Sequence, residues 1–191
     1  MIGIGNALDL RDASANKIRQ DLGVVVQRIV YELRGISCLD LDKVLPKKNI
    51  MCSRSFGNPV NSKAIIKDFI TEYAIRATEK VRQQNSRAQG IYIFLQTNRF
   101  RKEKQYSSGI MFGLNSPSCD TSIIIKLALR AIDQIYQSGY SYHKAGIMML
   151  DLIPSEIHQQ DLFQNTNYLL SDQRMGVIDF LNNKYGSGTI T

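Results

Sequence analysis

The sequence predicts an α+β fold, a four-stranded sheet with two helices packed on one of its faces. Two observations predict it. Between residues 49 and 152 the apolar pattern alternates between period two and period 3.6 in the order strand, helix, strand, strand, helix, strand, so that each half is a strand-helix-strand unit. Gly, Pro, Asn, Asp and Ser gather at the junctions between these runs, where turns and helix caps need them.

Taken in order, Ser14 is placed to cap a helix through Ile18, Leu22, Val25, Val26, Ile29, Val30 and Leu33, with Gly35 to end it. Residues 40–48, with Pro46 and three lysines, read as a linker. Ile50 to Phe56 is the first strand, closed by Gly57, Asn58 and Pro59. Asn61 or Ser62 then caps a long amphipathic helix with Ile65, Ile66, Phe69, Ile70, Tyr73, Ala74, Ala77 and Val81 on its apolar face and Lys63, Lys67, Arg76, Lys80 and Arg82 on its polar face. Gly90 to Thr97 and Gly109 to Leu114 are the second and third strands, joined by a charged loop. Asp120 or Thr121 caps a second helix, buried through Ile124, Leu127, Ala128, Ala131, Ile132 and Ile135 and ended by Gly139. Ala145 to Leu152 is the fourth strand, with one of Met148 and Met149 in the core and the other on the free face. Beyond Ile153 the periodicity weakens into a mostly irregular tail with a short helix from Gln173 to Lys184. The chain thus divides into 1–48, 49–152 and 153–191.

Composition narrows the function. A chain of 191 residues with 43% apolar content builds an ordinary core. It has no apolar run near the ~20 residues of a membrane span, and its start lacks the basic and apolar regions of a secretory signal, so a cytoplasmic location is expected. Cys38, Cys52 and Cys119 stand far apart with no second ligand at metal spacing, which predicts reduced thiols and no zinc site.

Charge is the strongest functional signal. Thirteen of the 24 Lys and Arg residues lie between Lys47 and Lys104, opposed only by Asp68, Glu72, Glu79 and Glu103, which leaves +9 on that stretch and −2 on the rest. Cations gathered on a sheet module suit a polyphosphate, because each one set against a phosphate releases condensed counterions. A basic protein also stays soluble this way, so placement matters. Ser53, Arg54, Ser55, Phe56 and Gly57 bring hydroxyls, a guanidinium and an open backbone to one strand end, the donor set of a phosphate contact or of ordinary turn chemistry. Arg99, Arg101, Lys102 and Lys104 surround Phe100 in the charged loop, as a second contact or a solvated hairpin. Tyr92, Tyr106, Tyr140 and Tyr142 read as packing at sheet edges, and neither His143 nor His158 has a nucleophile placed beside it.

Three segments together resemble the Y-family translesion DNA polymerases of the UmuC type: 50–57, with Ser53-Arg54-Ser55-Phe56-Gly57; 73–82, with Arg76 and Lys80; and 142–148, with His143-Lys144. By this resemblance 8–41 is a thumb remnant, 49–152 the little-finger domain and 174–189 the start of a terminal extension. It implies SOS DNA repair and mutagenesis, with the little finger gripping primer-template DNA along the major groove through Ser53, Arg54, Ser55, Phe56, Arg76, Lys80, Arg99 and Lys144. Gln159-Gln160-Asp161-Leu162-Phe163 resembles the bacterial sliding-clamp-binding pentapeptide, with Gln159, Leu162 and Phe163 as the contacts; Gln160 departs from the apolar residue usual there.

Templated nucleotide addition requires carboxylates that hold two divalent cations about 3.5–4 Å apart. In the family these include an adjacent Asp-Glu pair, and this sequence has none. The expectation is therefore a DNA-binding chain that is no polymerase on its own and holds no cofactor, Mg2+ serving only a complete polymerase. Two further expectations stay open: half of a split polymerase, active with a separately encoded N-terminal half, or a module that competes for the clamp or a UmuD-type partner.

Overall fold

Ile50, Cys52 and Phe56 are buried at alternate positions of β1 (Ile50–Val60), whereas Met51 and Ser55 are exposed, so the strand presents one face to a core. The same alternation, repeated in β2 (Ser86–Thr97), β3 (Ser107–Ser118) and β4 (Tyr142–Leu150), buries Ile91, Ile93, Leu95, Ala145, Ile147 and Met149. These coordinates are a computed structural model that describes residues 3–38, 45–157 and 168–190. Contacts divide the chain into two compact units, 1–45 and 46–191.

In the larger unit the strands are ordered β1-β4-β2-β3, all neighbours antiparallel, and a short β5 (Ile153–Pro154) pairs with the start of β2. Each strand-helix-strand unit therefore has one antiparallel strand inserted between its two strands, the split arrangement that the element order predicts. Helices α4 (Lys63–Gln83) and α5 (Thr121–Ile135) pack on each other and on the same face of the sheet. Ile66, Ile70, Ala74, Ala77 and Val81 of α4 and Ile124, Ala128, Ala131 and Ile132 of α5 are fully enclosed. Each buried Ile or Val contributes about 1.5–3 kcal/mol. Asp120 is the N-cap of α5, accepting from the Ser122 N–H at 2.8 Å. Met149 enters the core while Met148 sits on the other face, as the alternation predicts.

Several boundaries differ from the sequence reading. β1 continues to Val60 through an irregularity in which the four residues between Ser55 and Val60 oppose one on β4, so Gly57 to Pro59 bend the strand without ending it. β2 begins at Ser86, where Ser86 and Arg87 are themselves buried and pair with Pro154 and Ile153 of the short strand that follows β4. Helix α5 stops at Ile135, four residues before Gly139, which takes a left-handed turn conformation (φ 86°) ahead of β4. Ile65 lies on the outer face of α4, 47% exposed.

The last helix, α6 (Tyr168–Tyr185), is longer than the expected Gln173–Lys184 and is fixed to the sheet domain by charge. Arg82 donates from Nε and Nη2 to both Asp179 oxygens at 2.6 and 2.7 Å, and its Nη1 reaches the Cys119 carbonyl and Thr121 hydroxyl. Arg87 pairs with Asp172. Asp120 accepts from Ser171 and from Arg174, each at 2.5 Å. Met175, buried on the same face of α6, supplies the apolar centre of this seam.

In the smaller unit the single helix expected from Ser14 to Leu33 is broken. Gly23 (φ 87°) separates α2 (Ala15–Leu22) from α3 (Val24–Leu33), because a left-handed residue cannot continue a right-handed helix. A further helix, α1 (Ala7–Asp12), is capped by Asn6, whose side chain accepts from the N–H groups of Leu8 and Asp9. Arg34 ties the end of α3 to the end of α1 through the carbonyls of Arg11 and Ala13. Ile18 and Val30 are buried, while Leu22, Val25, Ile29 and Leu33 of the same apolar pattern remain exposed.

Candidate nucleic-acid interface

With both helices on one side, every second strand residue faces the other, open side. Strand register arranges these residues in rows that cross the sheet from β1 through β4 and β2 to β3. Ser55, Lys144, Gln96 and Ser107 form one row; Ser53, Gly146, Phe94 and Gly109 form the next; Met51, Met148, Tyr92 and Met111 form the third.

The middle row has almost no relief. A Cβ on Gly146 would meet the Phe94 ring at 2.7 Å and Ser53 Cβ at 2.5 Å, and one on Gly109 would meet the Tyr92 hydroxyl at 2.2 Å. Glycine at both places lets the two rings lie flat across neighbouring strands, with centroids 6.0 Å apart. This is why Phe94 is only 6% exposed on a face that neither α4 nor α5 covers. The Lys144 ammonium stands 5.9 Å from the Phe94 ring centre, a cation–π contact that holds its charge over the face.

Most of the residues singled out from sequence fall into three places. Ser53, Ser55 and Lys144 share the open face. Arg54 does not: it pairs with core-facing Ala145, and being exposed it emerges beside α4 near Tyr73. Arg76 and Lys80 belong to α4, with Lys80 Nζ 3.8 Å from Cys52 Sγ, so Arg54, Arg76 and Lys80 form a cationic rim along β1. Arg76 in that rim is held by Glu72 at 2.5 Å. Arg99 sits in the β2–β3 loop, exposed with Arg101, Lys102 and Lys104, beyond the Lys144 end of the face. Phe56 is in none of these places. Its ring is 6% exposed and stacks on Phe69 at 4.9 Å, so it is a core side chain with no surface to offer a ligand. Gln159, Leu162 and Phe163 lie outside the described residues.

At the far end of the face, the Lys48 carbonyl accepts from the Leu152 N–H at 2.8 Å, which sets exposed Lys47 and Lys48 beside the end of β4. The open face is thus bounded by cations at both strand ends. Among the described residues no carboxylate pairs with Lys47, Lys48, Arg54, Lys80, Arg99, Lys102, Lys104 or Lys144. Sequence reasoning missed the methionine row, since nothing short of the register across four strands puts Met51, Met148 and Met111 in line.

The titrating groups off this face are structural. Burial pushes the Asp120 carboxyl upward, but the bonds from Ser171, the Ser122 N–H and Arg174 outweigh it and leave it below its usual value. Burial, reinforced by Asp172, raises the Cys119 thiol, which opposes formation of a nucleophilic thiolate. Among the described residues no three His, Cys, Asp or Glu side chains gather so as to hold a metal ion, and no helix is long and apolar enough to cross a membrane.

Residues 47–162 match the impB/mucB/samB family C-terminal domain. Over 192 aligned positions the chain is 38% identical to protein UmuC of Salmonella typhimurium strain LT2, with 99% of this chain and 46% of that protein covered. Protein ImpB of Salmonella typhimurium is 36% identical, covering 99% and 45%, and protein MucB of Escherichia coli 34% identical, covering 96% and 44%. The chain spans a little under half the length of these curated relatives. It belongs to the impB/mucB/samB family and carries that family's C-terminal domain.

Proposed function

We propose that this chain is the DNA-gripping part of a UmuC-type translesion polymerase, acting in SOS repair and mutagenesis without a catalytic palm of its own. The observation that carries the reading is the open face of the sheet, bounded by cations of which Lys47, Lys48, Arg99, Lys102, Lys104 and Lys144 meet no described carboxylate, while Arg101 pairs with Glu103. Lys144 at one end of the face, the Arg99–Lys104 loop beyond it and Lys47 and Lys48 at the other end would follow phosphates. Ser53 and Ser55 add hydroxyl donors between them. Such contacts hold a duplex in place without reading its sequence, which suits a protein that must follow any template. From Lys48 to Ser55 the strand advances about 23 Å. That is enough to cross a major groove about 12 Å wide and reach the phosphate chains on both sides.

The palm carboxylates belong to another part of the family's chain, so nucleotide addition requires that part, encoded together with this one or separately. Gln159, Leu162 and Phe163 are proposed to tether the protein to the sliding clamp, on sequence resemblance alone. All of these partners are cytoplasmic.

The test is fluorescence anisotropy of the full chain with a labelled primer-template duplex between 50 and 200 mM salt. Wild type is expected to weaken linearly in log salt. Lys48→Gln with Lys144→Gln should reduce the slope by about 2, one for each phosphate contact removed. No binding at 50 mM salt would sink the reading and leave a clamp-directed role in front.

A further inference from the structure

The open face carries more than phosphate contacts, and its third row is of the wrong chemistry for them. Met51, Met148, Tyr92 and Met111 come from four different strands and are brought into one line by register. Met51 is 47% and Met111 65% exposed. Neither is needed by the core, which lies on the other side of the sheet. The row has cations at both ends of its strands: Lys144 is four residues away along β4, about 13 Å, and Lys47 and Lys48 lie at the opposite end. An apolar strip enclosed by cations is poorly suited to another protein's apolar patch but complementary to a groove, whose floor carries base edges and whose walls carry phosphates.

We propose that the Met51–Met148–Tyr92–Met111 row lies along the floor of the major groove and contacts the 5-methyl groups of pyrimidines, adding a component of affinity that salt does not screen. The inference rests on the DNA-gripping reading above and sharpens it. Across four strands the row is about 14 Å long, the rise of roughly four base pairs. Major-groove edges differ in apolar content mainly by the thymine methyl, so an apolar row reads that group and little else. Methionine fits the task because three rotatable bonds and a polarisable sulfur let it adapt to whichever base pair is presented. The flat Tyr92 ring of the row itself and the Phe94 ring of the adjacent row keep the sheet surface low enough for the thioethers to project.

The experiment compares two mixed-sequence primer-template duplexes, identical except that every thymine is replaced by uracil in one, titrated by anisotropy at several salt concentrations against wild type, Met51→Ser with Met111→Ser, and Met51→Leu with Met111→Leu. Wild type should bind the thymine duplex more tightly, by about fourfold for each methyl buried. The serine variant should lose that preference and bind about tenfold more weakly at every salt concentration, its log–log line parallel to wild type. The leucine variant should retain the preference. Thermal melting of the two variants at the wild-type temperature shows that the sheet is intact. Equal affinity of wild type for the two duplexes, or a serine variant whose slope falls while its preference persists, overturns the inference and leaves the phosphate grip standing. Loss of self-association in the serine variant, with DNA affinity unchanged, overturns it in favour of a second copy of the chain. Failure of wild type to bind either duplex at low salt overturns the grip and the row together.

Discussion

Arg82 and Arg87 come from the same cation-rich stretch as Arg54 and Arg99, yet the two sets are put to opposite use. Arg82 and Arg87 are nearly buried, with side chains 11% and 9% exposed, and each faces a carboxylate of α6. Arg54 and Arg99 are exposed and meet no described carboxylate. The first set holds a helix to a domain; the second is available to an external anion. A charge count over the sequence adds both together, and so overstates the surface field. Lys63 and Lys67 share Asp133, and Arg76 faces Glu72, which lowers the available charge further. The interface is therefore narrower than +9 on 58 residues suggests, and concentrated at the two ends of the open face.

The largest expected effect tests the buried set. Asp172→Ala removes the partner of Arg87 and leaves a guanidinium enclosed, with its Nε already lacking an acceptor. Breaking one side of such a pair strands the other charge, so the loss should be about 2–4 kcal/mol in urea unfolding, with DNA affinity within about twofold of wild type. An unfolding midpoint unchanged from wild type would show that α6 is held by Met175 and its apolar neighbours, and the contrast between the two sets would then be one of burial alone.

A smaller effect follows from Asp120, which caps α5 and also receives Arg174 and Ser171 of α6. Its folded-state carboxyl titrates below its unfolded value. The group therefore contributes stability that is fully present above the ordinary carboxylate value near 4 and is lost as pH falls through the lower folded value. Wild type should lose stability as pH falls below the ordinary carboxylate value of about 4, and Asp120→Asn should flatten part of that dependence while lowering stability at neutral pH. A variant with the wild-type acid profile would remove Asp120 from the seam's energetics.

Most of the sheet domain was readable in the sequence because its signals are local. Periods of two and 3.6 identify β1, α4, β3 and α5, and the Asp120 cap marks the start of α5. What was not readable depends on partners far along the chain. Ser86-Arg87-Ala88-Gln89 looks like a polar loop, yet it begins β2 because β5 pairs with it and Asp172 meets Arg87 across 85 residues. Gly23 interrupts an apolar pattern that continues on both sides, so periodicity alone reads through the break. Phe56 and Arg54 are a different case. Their inward parity follows from Cys52 by simple alternation, but reading the strand as ending at Phe56 obscured it. For the candidate site, Lys144 and the 99–104 loop could be chosen by charge, whereas the methionine row needed the register of all four strands.

The smallest effect probes the rim between the two sets. Arg76 lies near Arg54, but its ion pair with Glu72 is exposed, with side chains 44% and 47% accessible, so it contributes little to the fold. Arg76→Ala should cost no more than about 0.5 kcal/mol, the usual worth of an exposed pair one helical turn apart. Its effect on DNA should also be smaller than that of Arg54→Ala, because Arg76 is already committed to Glu72 and presents less of its charge to a phosphate. The more telling variant is Glu72→Gln. If the rim faces phosphate, removing this carboxylate frees Arg76 and strengthens binding, with a steeper salt dependence. If Arg54, Arg76 and Lys80 only solvate the helix, affinity and slope stay as in wild type, and the interface ends at the open face.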